Sequence, residues 1–214
     1  MKTCIATLAL LCVTLASAPA WAQFGSSYDN GPINGTSDAW TINFGYIVSD
    51  TFTGSNTAVT GFAFGVWEFP GDTVSAVDWS ITSGENSGTV YGFGTASGNG
   101  VSDKFISSNQ YGYNIDLIGV TGLNVYLSSG TYWLNLQNAS VASGDPVYWD
   151  ENSGRGCGGS GCPSSASESA LGTIPSESFT VSMGYQFPEP SIILMFGSSA
   201  VLVGIRRWKL RNRS

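Results

Sequence analysis

The stretch Phe179-Thr-Val-Ser-Met-Gly-Tyr-Gln-Phe187 alternates large apolar residues with small or polar ones. Successive side chains of a β-strand point to opposite faces, so a period of two indicates a strand with one buried and one solvated face. The stretch therefore predicts a strand whose core face carries the apolar members of the alternation, which are Phe179, Val181, Met183, Tyr185 and Phe187.

The same alternation recurs along the chain. It appears at residues 42–52, 59–67, 74–81, 89–93, 112–117, 123–127 and 131–137. Turn sequences such as Pro70-Gly71-Asp72 and Gly98-Asn99-Gly100 separate these runs. About nine short strands at near-regular spacing, without an amphipathic helix, predict an all-β fold. The expected architecture is an antiparallel β-sandwich of the jelly-roll type. Residues 152–173 are rich in Gly and Ser and predict a long surface loop.

The N-terminus has the three parts of a secretory signal peptide. Lys2 supplies a positive charge, residues 4–16 are apolar, and Ala20-Trp21-Ala22 fits a small-x-small cleavage site. An uncleaved membrane helix is the alternative, but the apolar run is short and a good cleavage site follows it. We therefore predict a signal peptide over residues 1–22 and a mature chain that starts at Gln23.

The expected exported domain, residues 23–187, is strongly acidic. It contains 14 acidic residues and only two basic ones, Lys104 and Arg155, for a net charge of −12. Such a domain gains nothing from counterion release on nucleic acid, so nucleic acid is excluded as a partner. Neutral sugars, cations or other proteins are the expected partners.

Two cysteines remain after removal of the signal peptide. Cys157 and Cys162 flank a Gly-Gly-Ser-Gly loop, and the chain contains no histidine. A zinc site is therefore poorly supported, and a redox pair more often has two intervening residues. In an oxidising compartment we expect a disulfide that pins this loop.

The C-terminus resembles a membrane-insertion segment. Pro188-Glu189-Pro190 precedes an apolar run over residues 191–205 and a basic tail over 206–214, whose charges are Arg206, Arg207, Lys209, Arg211 and Arg213. The 15 apolar residues form about 22 Å of helix, against a hydrocarbon core of about 30 Å. We predict a short transmembrane helix with a cytoplasmic tail, because basic residues remain on the cytoplasmic side.

The order of these three parts resembles the PEP-CTERM sorting signal of Gram-negative bacteria that make exopolysaccharide. The resemblance implies recognition of Pro188-Glu189-Pro190 by an exosortase, a membrane enzyme that removes the tail. Phe187 stands where Val is common before the motif. Residues 130–139, 146–152 and 172–179 also resemble parts of a recurrent PEP-CTERM ectodomain, which has no assigned activity and implies no catalytic residues.

One short stretch has the residue types of a binding site. Asp145, Asp150, Glu151 and Asn152 offer oxygen ligands that suit calcium, although a solvated acidic turn is the preferred interpretation. Trp149 lies beside them and could stack on a sugar, with core packing as the alternative. We expect no cofactor and no catalytic residue, because histidine is absent and the pair Asp150-Glu151 would point to opposite faces of a strand.

The expected function is that of an exported, non-catalytic protein of the cell surface or extracellular matrix. Its precursor would be anchored in the inner membrane with a periplasmic domain until an exosortase processes it. A glycan-binding module within the exopolysaccharide is the alternative hypothesis. A glycoside hydrolase, which needs two carboxylates that converge in a cleft, is a third.

Overall fold

The computed structural model describes residues 27–152 and 164–184, which belong to a single compact unit. These residues form 13 strands and one 3-10 turn, Gly98–Gly100, with no α-helix among them. Every strand pairing is antiparallel. The predicted all-β antiparallel fold is confirmed.

The first sheet is built around the long strand β4 (Thr57–Glu68). On one side β4 pairs with β8 (Asn114–Leu127), which carries the edge strand β7 (Val101–Ser108). On the other side it pairs with β13 (Phe179–Gly184) and, near its C-terminal end, with β10 (Tyr148–Asp150). The sheet is completed by β1 (Ser27–Asp29), next to β13, and β2 (Ala39–Thr41), next to β10.

The second sheet has six strands. Their order across the sheet is β12 (Gly172–Ile174), β11 (Ala166–Glu168), β3 (Ile47–Gly54), β9 (Gly130–Ser140), β5 (Ala76–Gly84) and β6 (Ser87–Ser97). Apolar residues of both sheets form one hydrophobic core, in a sandwich-like arrangement. Each fully buried Leu, Ile or Phe of this core contributes about 1.5–3 kcal/mol.

The alternating runs predict the core faces correctly where β9 and β13 are concerned. Tyr132, Leu134 and Leu136 of β9 are buried. In β13, Phe179, Val181 and Met183 are buried, whereas Ser182 is exposed. Tyr185 and Phe187, the last two members of the quoted alternation, lie outside the described residues.

Several strand boundaries differ from the prediction. Residues 114–117 of the first run and the run 123–127 belong to one strand, β8, which continues through a bulge opposite Val59 and Gly61. The run 42–52 is interrupted, because Phe44 and Gly45 adopt positive φ angles of 56° and 87° in the turn before β3. The predicted loop 152–173 is wrong at residues 166–168, where β11 pairs with β3, and at residues 172–173, where β12 begins.

The edge strand β7 was not predicted. All eight of its residues are exposed or half-buried, and Phe105 is among the exposed ones. The sequence Val-Ser-Asp-Lys-Phe-Ile-Ser-Ser therefore has no regular apolar face. Such a strand is defined by its hydrogen bonds to β8. Within residues 27–152 and 164–184 no helix is long and apolar enough to span a membrane.

Candidate functional site

The residues expected to direct sorting lie outside the described residues. These are Pro188, Glu189, Pro190, the basic residues Arg206, Arg207, Lys209, Arg211 and Arg213, and the apolar run between them. The expected disulfide partners Cys157 and Cys162 also lie outside the described part of the chain.

Trp149 lies in the core. Its side chain is fully buried between Phe64 and Phe179, with ring centroids 5.8 and 5.5 Å away. Its indole N–H donates to the carbonyl oxygen of Ser178 at 2.9 Å. The ring is therefore packed as a core residue and is not available for stacking on a sugar at the surface.

Asp150 points away from the core, because β10 places Trp149 beside Val66 and Tyr148 beside Trp67. Its carboxylate is nevertheless fully buried under the segment before β2 and accepts bonds from the backbone N–H groups of Asn34 and Gly35. Burial raises the pKa of Asp150, although these donors oppose the shift. Its oxygens thus accept hydrogen bonds that stabilise the fold.

The other proposed calcium ligands do not join Asp150. The half-buried Asp145 lies in the turn before β10, where its carbonyl oxygen accepts from the side chain of Asn43. Asn152 is buried and its amide nitrogen donates to the carbonyl oxygens of Asn30 and Glu177. Glu151 accepts from the indole N–H of Trp40 at 3.3 Å. Each of these three residues therefore makes at least one hydrogen bond within the fold.

A different group of acids converges on the inner face of the first sheet. Glu68 of β4, Asp116 of β8 and Asp103 of β7 each place a carboxylate oxygen within 4.8 Å of the other two. Glu68 continues the row of core residues Phe64 and Val66, at the C-terminal end of β4. The three neighbouring strands thus gather carboxylates that are far apart in sequence.

This group, the carboxylate cluster, has few hydrogen-bond donors around it. Glu68 is 0% exposed, and neither of its carboxylate oxygens has a hydrogen-bond donor; Asp116 Oδ1 has none either. Asp103 is half-buried and its Oδ2 accepts from the backbone N–H of Val74 at 2.6 Å. Burial, contact with Asp116 and the charges of Asp103, Asp116 and Asp72 raise the pKa of Glu68 to about 9.

No basic side chain balances the cluster within residues 27–152 and 164–184. Lys104 is the only Lys or Arg in these ranges, and it is exposed. It follows Asp103 in β7, so alternation directs it to the opposite face. An all-oxygen donor set of this kind suits a hard divalent cation.

An aromatic cleft opens on the outer face of the same sheet. It has a volume of about 430 Å³ and is lined by Trp67, Tyr111, Tyr113, Tyr148 and residues 37–39. Tyr111 is 57% exposed and stacks on Trp67 with a centroid distance of 5.7 Å and an interplanar angle of 20°. The cleft combines exposed ring faces with the carboxylate of Asp38, so it can bind a ligand that has both apolar faces and hydroxyl groups.

A second pair of buried acids, Asp50 and Glu177, lies where the first and last segments of the described domain meet. Asp50 of β3 accepts hydrogen bonds from the Asn30 side chain at 3.1 Å and the Glu177 backbone N–H at 2.8 Å. Burial raises the pKa of Asp50 to about 7, even though hydrogen bonds from the Ser164 side chain and the Glu177 backbone lower it in part. Burial and the charges of Asp50 and Glu151 hold the pKa of Glu177 well above its usual range.

The sequence contains a signal for one member of the carboxylate cluster, Glu68. Extending the run 59–67 by one residue places Glu68 on the face of Phe64 and Val66. The run 112–117 instead assigns Asp116 to the polar face, opposite Tyr113, Ile115 and Leu117, so the sequence gives no signal that it is buried. A charged residue at an inward position is expensive unless it is paired or neutralised. Asp103 carries no such signal, because β7 lacks alternation.

No known protein family matches the chain, and no curated protein is similar to it in sequence. The role of the domain is therefore inferred from its own residues.

Proposed function

We propose that the chain is an exported, non-catalytic protein of the cell surface or extracellular matrix, released from an inner-membrane precursor by an exosortase. The order of Pro188-Glu189-Pro190, the apolar run 191–205 and the terminal basic residues carries this proposal. The signal peptide at residues 1–22 supports it, because export and a cytoplasmic tail give the precursor one consistent orientation.

The composition of the domain agrees with this role. Residues 23–187 carry a net charge of −12 and five of the eight basic residues lie in the tail. Removal of the tail separates the acidic domain from the segment that attracts it to anionic lipid. The jelly-roll type of sandwich and the disulfide between Cys157 and Cys162 belong to the same proposal.

Intact-mass spectrometry of the surface-exposed protein tests the processing step. In cells with an exosortase, the mature protein is expected to lack residues 1–22 and the residues after about Pro190, and in cells without the enzyme it keeps the tail. A Glu189→Ala variant is expected to keep the tail in both strains, whereas a Glu85→Gln control, at an exposed acid of the domain, is processed normally. Recovery of peptides containing Arg211 from the wild-type surface protein contradicts the proposal.

A second candidate function is binding of exopolysaccharide, and the aromatic cleft favours it. Sugar rings present apolar C–H faces that pack on aromatic side chains, and their hydroxyl groups need polar partners such as Asp38. Tyr111 offers the most exposed ring of the cleft. This site replaces Trp149 as the proposed glycan contact.

Binding to a panel of neutral and acidic polysaccharides tests the second function. The Tyr111→Ala variant is expected to lose roughly two- to tenfold in affinity, since aromatic ring contacts contribute about 0.5–1.5 kcal/mol. Tyr126, which is 66% exposed and outside the cleft, provides the matched control Tyr126→Ala. Equal loss in both variants, or no binding by the wild-type protein, refutes a role for the cleft.

A further inference from the structure

We propose that Glu68, Asp103 and Asp116 form a calcium-binding site at one end of the first sheet. The three residues come from adjacent strands β4, β8 and β7, and their carboxylate oxygens lie within 4.8 Å of one another. This inference does not depend on the sorting or the glycan proposal.

The surroundings of Glu68 support a cation site. Its side chain is fully buried in line with core residues, yet neither oxygen meets a donor, and Asp116 Oδ1 next to it is also without one. A buried carboxylate requires a charge partner, a metal or a proton. Lys104, the only basic residue of the described ranges, lies on the other face of β7. A cation bound between the three acids supplies the partner that the protein side chains do not.

The donor chemistry selects calcium among common cations. Two oxygens that bind one calcium ion at 2.3–2.6 Å are at most about 5 Å apart, which the spacing of the cluster satisfies. Magnesium needs shorter bonds and a near-ideal octahedron, which three residues on one twisted sheet do not readily provide. The chain has no histidine, so a nitrogen-rich zinc site is not available.

The position of the site explains what the ion would do. Asp103 is half-buried, so the cluster is reachable from solvent at the β7 side. Asp103 also accepts from the Val74 backbone N–H, and Asp72 lies near enough to influence Glu68. A bound ion therefore joins the edge strand β7 and the connection between β4 and β5 to the centre of the sheet. With three carboxylates and water completing the shell, we expect a dissociation constant on the order of 10⁻⁴–10⁻³ M, as in extracellular calcium modules.

Thermal unfolding and calorimetric titration of the full chain, purified in detergent and stripped of metal with EDTA, test the site. At a calcium concentration ten times the dissociation constant, the Tm of the wild-type protein is expected to rise by roughly 3–6 °C. Magnesium at the same concentration is expected to give a much smaller shift. Titration calorimetry should show one calcium bound per chain.

Variants separate a calcium site from a cluster that is neutralised by protons alone. Glu68→Gln replaces the buried carboxyl group with an amide that cannot ionise, so its Tm without metal is expected to equal or exceed that of the wild type, while its calcium response disappears. Asp103→Asn, at the half-buried member, should also abolish the response and remains informative if the Glu68 variant does not fold. Glu85→Gln makes the same chemical change at an exposed acid and should keep the full response. Absence of calcium binding by the wild type, or an unchanged response in both cluster variants, overturns the proposal.

Discussion

Replacing Asp150 with asparagine tests how the first sheet is held to the segment that covers it. The carboxylate is 0% exposed and accepts four hydrogen bonds. Oδ1 accepts from Trp67 Nε1 at 2.6 Å and from the Gly35 backbone N–H at 2.9 Å. Oδ2 accepts from the Asn34 backbone N–H at 2.9 Å and from Ser178 Oγ at 3.1 Å. One side chain thus connects four segments of the chain.

The magnitude follows from the donors that each oxygen meets. An asparagine that places its amide nitrogen at the Oδ1 position faces two N–H groups, neither of which can accept. The reverse orientation loses only the Asn34 bond, because the Ser178 hydroxyl can rotate and become an acceptor. The favoured orientation therefore leaves one buried donor unsatisfied and weakens three charge-assisted bonds. We expect a loss of about 2–4 kcal/mol in the free energy of unfolding.

Urea denaturation measures this loss. A double-mutant cycle with Trp67→Phe, which removes the indole N–H but keeps an aromatic ring, isolates the shortest of the four bonds. We expect a coupling free energy of about 1–3 kcal/mol for this charge-assisted pair. The Glu85→Gln control at an exposed site should stay within about 0.5 kcal/mol of the wild type.

Two results would refute the reasoning about Asp150. A loss below about 1 kcal/mol for Asp150→Asn would mean that the four bonds contribute little beyond the cost of burying the charge. A coupling near zero with Trp67→Phe would mean that the 2.6 Å contact is not a strong bond in solution.

Two further predictions concern the core. Because burial raises the pKa of Asp50 from 3.8 to about 7, the folded state keeps its proton where the unfolded state has lost it. Its stabilising contribution is therefore complete below pH 4 and is lost as the pH rises through 7, by up to about 4 kcal/mol. Urea denaturation from pH 4 to 8 should show a flatter profile for Asp50→Asn, and parallel profiles would contradict this. Gly61→Ala would place a Cβ atom 2.4 Å from the Val120 carbonyl oxygen at the bulge between β4 and β8. We expect a loss of about 1–3 kcal/mol, whereas Gly100→Ala, whose nearest contact is 4.0 Å away, should have little effect in the same assay.

The alternation of apolar residues predicts the fold class and the buried faces of β9 and β13, but not of β6, where Tyr91 and Phe93 are exposed. Leu134 and Leu136 of β9, and Val181 of β13, lie where the pattern places them. The pattern succeeds because a strand with one face in the core must bury every second side chain. It fails for β10 and β11, which have three residues each and are too short to show a period. These strands are defined by their partners β4 and β3.

The candidate sites depend on pairings that periodicity does not specify. Asp150 and Trp149 have the composition of a surface binding loop, yet β10 inserts between β2 and β4 and buries both. The aromatic cleft likewise needs Tyr111 from the turn between β7 and β8 to reach Trp67 of β4.

The amino-acid sequence by itself determines the acidity of the domain, its all-β character and the order of its proposed export and sorting segments. Only the tertiary structure decides that Glu68, Asp103 and Asp116 meet, although 35 and 13 residues separate them along the chain. The physical reason is that alternation assigns each side chain to a face of its own strand, whereas contacts across a sheet depend on strand order and register. The register of β4, β8 and β7 brings three carboxyl groups together at the end of the core, where we propose that calcium binds.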